Sequence, residues 1–134
     1  MEYPDDLYYN RAHIWVRVQG SRGTVGVTDF AQREMGEVLF ADFPEEGSPI
    51  EKNDVLGTLE SSKTVAELHS PIGGEIVSIN KDLEEEPSLV NDDPYGNGWL
   101  VVIEIDDPTE LEDMLNAADY EDFLEQKEEE DEEE

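Results

Sequence analysis

Two short alternating runs, Val55-Leu56-Gly57-Thr58-Leu59 and Val65-Ala66-Glu67-Leu68, flank a polar tip, Ser61-Ser62-Lys63-Thr64. Alternation of this kind places every second side chain on a covered face, and a polar interval between two such runs reads as a β-hairpin. Lys63 then sits at an exposed turn. Glu60 and Glu67 lie close to it in sequence, an acidic setting opposite to the desolvated or cation-crowded one that makes an amine nucleophilic. A Schiff-base role is therefore not expected. A lysine at the apex of a stiff hairpin is instead placed as an attachment point that another enzyme can grip and modify.

The remaining segments read as further strands around this hairpin. Leu7-Tyr8-Tyr9 leads into His13-Ile14-Trp15-Val16-Arg17-Val18, and Gly23-Thr24-Val25-Gly26-Val27 resumes the alternation after the turn cluster Gln19 to Gly23. These form a first hairpin. Thr28 or Asp29 can cap a short helix, Phe30 to Met35, which Gly36 stops. Glu37 to Pro44 is a strand with apolar residues partly on both faces, and a short extended piece surrounds Pro49-Ile50. After Gly73-Gly74, Glu75 to Asn80 alternates with Ile76 or Val77 facing inward, and Leu100 to Ile105 is a last strand apolar enough to be covered on both sides. Thr109-Glu110-Leu111-Glu112 reads as a capping box with Thr109 as N-cap, and Tyr120 to Gln126 as another helical turn or two with Tyr120, Phe123 and Leu124 on one stripe. A chain of 134 residues suffices for one domain with a real core, expected over residues 1–126. Residues 127–134 form an acidic, self-repelling run expected to be a disordered tail.

Composition narrows the function classes. Asp and Glu number 37 against 8 Lys and Arg, for a formal net charge of -29. Such a surface repels phosphate backbones and anionic headgroups, so no nucleic-acid and no membrane-surface role is expected. Basic protein partners suit it, and equally an acidic surface keeps a protein soluble in high salt. Cysteine is absent, so any sulfur chemistry must arrive on a prosthetic group. Neither a bilayer-spanning apolar run nor a basic leader is read in the sequence. The expected location is cytoplasmic, or the mitochondrial matrix if a leader has been removed, and the expected state is a monomer. His13 and His69 stand far apart, and no metal constellation accompanies them.

Glu60-Ser61-Ser62-Lys63, followed by Ser70-Pro71-Ile72-Gly73-Gly74-Glu75-Ile76, resembles the lipoyl-lysine hairpin of the glycine cleavage system H protein. Biotin carriers usually flank the lysine with methionines, and lipoyl domains of 2-oxo acid dehydrogenases usually place an aspartate before it. Here the neighbours are Ser62 and Thr64. The resemblance continues in Val25 to Gln32 with Gly36-Glu37-Val38, and in Asn91, Pro94-Tyr95 and Gly98-Trp99, from about Leu7 to Leu124. Trp99 itself reads as a core aromatic anchoring the last strand.

The fold that this resemblance implies is mainly β, a lipoyl-domain-like barrel-sandwich hybrid with a short helix after the first hairpin and short C-terminal helices. Lys63 would carry lipoic acid in amide linkage, with Glu60 and Ser61 as recognition elements for the lipoate-attaching enzyme. The protein would be a non-catalytic carrier. Its arm would take the aminomethyl group from glycine decarboxylase, present it to aminomethyltransferase, and be reoxidised by dihydrolipoamide dehydrogenase.

One position departs from the pattern. H proteins usually hold a glutamate between the equivalents of His13 and Trp15, associated with holding the loaded arm in its cleft, and this chain has Ile14. An isoleucine accepts no hydrogen bond from an amine. The substitution motivates an alternative within H-like carriers, a lipoate-binding protein that serves a sulfur-oxidising heterodisulfide-reductase-like complex. An unlipoylated interaction module is a third reading, against which the intact Lys63 hairpin argues.

Overall fold

In a computed structural model, residues 3–132 are described, with side chains through residue 126. The elements run β1 Tyr8–Tyr9, β2 Ile14–Gln19, β3 Arg22–Val27, α1 Asp29–Met35, β4 Val38–Asp42, β5 Pro49–Ile50, β6 Val55–Ser61, β7 Val65–His69 and β8 Gly74–Ile79. Then follow α2 Asp82–Glu85, α3 Leu89–Asp92, β9 Val101–Ile105, a 3₁₀ turn Pro108–Asp113 and α4 Ala117–Glu132. The strands form a six-stranded sheet, β1-β2-β3-β9-β8-β5, and a three-stranded sheet, β4-β6-β7. Every pairing is antiparallel. The expected mainly β sandwich is the observed architecture, with two open sheets and no closed barrel.

The main core lies between the sheets and takes Ile14, Val16, Val25 and Val27 from the first hairpin. Leu56, Leu59 and Leu68 come from the second hairpin, and Ile76, Val101 and Ile103 from the later strands. Of the two registers open for β8, the structure adopts the one that buries Ile76 and leaves Val77 half-buried. β9 pairs with β3 and β8; it buries Val101 and Ile103 and leaves Val102, Glu104 and Ile105 half-buried. The strand expected to be covered on both sides is thus fully buried only at Val101 and Ile103, on one face.

β2 serves two cores. Trp15 points away from Ile14 and Val16 into a second cluster with Leu7, Tyr9, Ala117, Tyr120 and Leu124. Its indole donates to Val27 O at 2.9 Å and Pro94 O at 3.1 Å, and Arg17 lies over the ring at 5.0 Å. Glycine is required at position 26, opposite Trp15, where a Cβ would stand 2.5 Å from the indole Cε2. Trp99, by comparison, only packs half-buried against this cluster.

Local signals predict some boundaries and miss others. Thr28 caps α1, accepting from Ala31 N at 3.2 Å, and Gly36 ends the helix at φ 82°. The capping box at Thr109 does not form: Asp107 is the N-cap, accepting from Thr109 N and Oγ1, and the turn is 3₁₀. An Asp immediately before Pro108 supplies the better cap because proline at the first helical position leaves no N–H to satisfy. Leu83, in the polar stretch after β8, is buried on the four-residue α2.

Along α4, Tyr120 and Leu124 are buried and Phe123 is half-buried, as the stripe predicts. Tyr120 stacks on Tyr9 at 4.9 Å. The helix continues to Glu132, so the acidic run from Lys127 to Glu132 has a helical backbone where a disordered tail is expected. Glu is a good helix former, and a docked turn relieves the run of the nucleation cost. Glu133 and Glu134 lie outside the described residues.

Candidate functional site

Lys63 is exposed at the tip between β6 and β7. Ser61 fastens that tip. Its N–H donates to Thr64 O at 2.9 Å, and its hydroxyl oxygen accepts from the Lys63 and Thr64 N–H groups, each at 3.2 Å. Being 6% exposed, Ser61 offers its hydroxyl to the turn, whereas Glu60 is fully on the surface. Of the two residues expected beside Lys63, one therefore shapes the tip and the other faces outward.

The lysine stem lies over the end of α1. A Cβ at Gly36 would stand 3.1 Å from Lys63 Cε, and the positive φ there also disfavours any side chain. Asn91 holds this end in place. Its amide donates to Gly36 O at 2.7 Å and Gln32 Oε1 at 3.0 Å, and its side-chain oxygen accepts from Val38 N at 2.8 Å. One side chain from α3 thus joins α1 to β4. Replacing Asn91 with Ala strands these backbone partners and is expected to cost about 2–3 kcal/mol, measured by chemical denaturation. An unchanged midpoint would show that solvent replaces the clamp.

Beside the lysine runs a cleft of about 310 Å³, lined by His13, Phe30, Ala31, Glu34, Met35, Thr64, Ala66 and Glu67 among others. Its walls come from the loop before β2, from α1 and from β7. His13 adopts φ 67° and packs against Phe30 with ring centroids 4.6 Å apart and the planes tilted by 44°. His13 Nδ1 and Tyr120 Oη are 2.7 Å apart, and Tyr120 Oη lies 2.8 Å from Thr28 Oγ1, the cap of α1. α4 is thereby wired to two of the three cleft walls, the loop before β2 and α1. Ile14 does not line the cleft; it is 1% exposed and belongs to the main core.

Tyr95 sits behind the same wall, where its hydroxyl accepts from Asp29 N at 2.9 Å and its carbonyl accepts from Arg17 at 2.8 Å. The Pro94-Tyr95 motif therefore acts as scaffold for β2 and α1. His69 is exposed and donates through Nδ1 to Asn53 O at 2.9 Å. No cluster of metal-binding side chains occurs among the described residues. Gly36 and the cleft escape a reading of the sequence because their residues meet only in the folded chain. A partial signal existed in the glycine that ends α1.

Two antiparallel sheets with a lysine on a fastened, protruding tip define a lipoyl-domain-like sandwich. A family model described as glycine cleavage H-protein matches residues 7–127. The chain is 48% identical to the glycine cleavage system H protein of Salinibacter ruber, over 90% of this chain and 97% of that one. It is 45% identical to glycine cleavage system H protein 4 of Aquifex aeolicus, over 96% of this chain and 75% of the relative. A crystal structure of a glycine cleavage system H protein from Mycobacterium marinum superposes with a TM-score of 0.80 at 31% identity, covering 88% of this chain and 95% of that one. The chain belongs to the glycine cleavage H-protein family.

Proposed function

We propose that this protein is a non-catalytic carrier, loaded with lipoic acid on Lys63, that shuttles an aminomethyl group and reducing equivalents between the enzymes of glycine cleavage. The observation that carries this reading is the placement of Lys63: exposed at a tip fastened by Ser61, with its stem across Gly36, beside an apolar cleft. A glycine that leaves room for a lysine stem is a cradle a Cβ would fill, and the cleft offers an apolar wall to an alkyl chain. A dithiolane on such an arm supplies the group and electron transfer that a cysteine-free chain lacks. Glycine decarboxylase, aminomethyltransferase and dihydrolipoamide dehydrogenase are the implied partners.

The chain's own residues present and shelter the arm. Ser61 keeps the tip rigid, and Phe30, Ala31 and Met35 form the apolar wall. Although Ile14 is turned into the core, Glu34 and Glu67 line the cleft, and carboxylates of this kind can accept hydrogen bonds from an amine. The names of the relatives described above refer to glycine cleavage, and none refers to sulfur oxidation. No helix among the described residues is long and apolar enough to cross a membrane.

The deciding experiment loads the protein with lipoate, incubates it with glycine and glycine decarboxylase, and follows the intact mass. An aminomethyl adduct on the Lys63 peptide is the expected result. Loading by a thiosulfate-derived sulfur donor, with no reaction in the presence of glycine, would overturn the assignment in favour of sulfur oxidation.

A further inference from the structure

His13 is tied to Thr28 by both its main chain and its side chain. Its carbonyl accepts from Thr28 N at 3.0 Å, and its imidazole reaches Thr28 through Tyr120, whose hydroxyl lies 2.7 Å from His13 Nδ1 and 2.8 Å from Thr28 Oγ1. The left-handed φ of 67° at His13 persists in a residue with a side chain only where the surroundings impose it. Asn10 completes that constraint: its carbonyl accepts from His13 N at 3.1 Å, and its side-chain oxygen accepts from Ala12 N and Ile14 N, each at 3.0 Å. The outcome is a cleft-lining imidazole held in one orientation.

Burial sets the direction of each hydrogen bond in the chain from Thr28 to His13. Thr28 and Tyr120 are both 0% exposed, so neither hydroxyl hydrogen can turn to water, and leaving one unpaired is costly. Thr28 Oγ1 already accepts from Ala31 N as the cap of α1, and among the described residues the acceptor within reach of its hydrogen is Tyr120 Oη. Tyr120, which burial keeps in the phenol form, must then send its own hydrogen to His13 Nδ1. A nitrogen that accepts carries no hydrogen, so the neutral ring bears its hydrogen on Nε2. Charging the ring would set a second donor against the phenol and strand one buried hydroxyl hydrogen, whichever way the chain is then ordered.

We propose that Thr28 and Tyr120 are positioning residues that lock His13 as the uncharged Nε2–H tautomer, so that Glu34 and Glu67 set the charge of the cleft and favour a cationic cargo. The consequence for cargo rests on the carrier reading of Lys63, whereas the tautomer does not. The charged and titratable groups described around the ring are Tyr120 from α4, Glu34 from α1, Glu67 from β7 and, in its own loop, Arg11, whose guanidinium lies over Phe123 at 5.8 Å. The two carboxylates would draw a proton onto the imidazole; Arg11 and the hydroxyl chain oppose them. An imidazolium here would pair with a carboxylate that an aminomethyl ammonium needs.

The test reads the ring directly, by two-bond proton–nitrogen correlation spectra of histidine-labelled protein near neutral pH. The expected wild-type pattern for His13 is a bare Nδ1 and a protonated Nε2. His69, whose Nδ1 donates to Asn53 O, provides the opposite pattern in the same spectrum. Tyr120→Phe should put the ring in exchange between forms, and Thr28→Ser, which keeps the hydroxyl, should retain the lock. Ammonia release from the aminomethyl-loaded arm is expected to quicken about fivefold in Tyr120→Phe, as for the loss of one hydrogen bond. A wild-type His13 with its hydrogen on Nδ1, or an unchanged pattern in Tyr120→Phe, would overturn the proposal. So would a wild-type rate of ammonia release from a Tyr120→Phe protein that has lost the tautomer. The wild-type spectrum needs neither a variant nor an arm, so it decides the lock even if Tyr120→Phe unfolds. If wild type accepts no lipoate on Lys63, the carrier reading falls and takes the cargo consequence with it, while the spectrum still decides the tautomer.

Discussion

Lys63→Arg is expected to abolish covalent loading of the chain while leaving its fold intact. Amide formation needs an amine that can give up a proton, and a guanidinium stays protonated throughout the working pH range. The substitution keeps charge and stem length. Among the described residues, no ion pair or hydrogen bond involves the Lys63 ammonium, whereas Lys52 and Lys81 pair with Asp113 at 3.3 Å and Glu46 at 3.9 Å. An exposed side chain without such partners contributes within about 0.5 kcal/mol of stability, so the melting curve should superpose on wild type. Mass spectrometry after incubation with lipoate, ATP and a lipoate-attaching ligase gives the readout. An adduct on a peptide bearing Lys52 or Lys81 would move the site and dissolve the link between tip geometry and attachment.

The contrast between Lys63 and its surroundings also shows what a sequence of this kind exposes to reading. The second hairpin is legible because β6 buries Gly57, Leu59 and Ser61 in alternation, β7 turns half-buried Ala66 and buried Leu68 to one face, and the tip between them is polar. Thr28 and Gly36 are legible because caps act within a turn of their own position. Thr109 misleads for the same reason: two cap formers stand two residues apart, and the proline between them decides for Asp107. Non-local features leave no such trace. The cleft joins His13, α1 and β7, and the clamp at Asn91 joins residues 53 to 59 positions away. Leu39-Phe40 does leave a mark, an apolar pair that breaks the alternation of β4, but only the folded chain shows that both are exposed.

The same long-range packing that builds the cleft should make the protein sensitive to alkali. Tyr9 and Tyr120 are fully buried and Tyr95 is half-buried, and loss of water around each phenol pushes its pKa well above the ordinary value near 10. For Tyr9 the neighbouring Tyr95 and Asp6 add to this; for Tyr120 and Tyr95 the hydrogen bonds to Thr28 and Asp29 act against it. Because the folded pKa exceeds the unfolded one, the folded state keeps protons that the unfolded state has released. Stability is therefore fully present below about pH 10 and is lost as pH rises beyond it. Each phenol removes about 1.4 kcal/mol at pH 11, so the three together remove about 4 kcal/mol, a large share of a typical domain's stability. Denaturant midpoints measured from pH 8 to 11 should fall steeply above pH 10, with phenolate absorbance rising as the far-ultraviolet dichroism is lost. Tyr120→Phe should lower stability at neutral pH, by freeing His13 and Thr28 from their shared partner, and should make the alkaline slope shallower by about a third. Phenolate forming in full while the midpoint stays constant would mean that these rings ionise in place, and that the aromatic cluster behind the cleft is open to water.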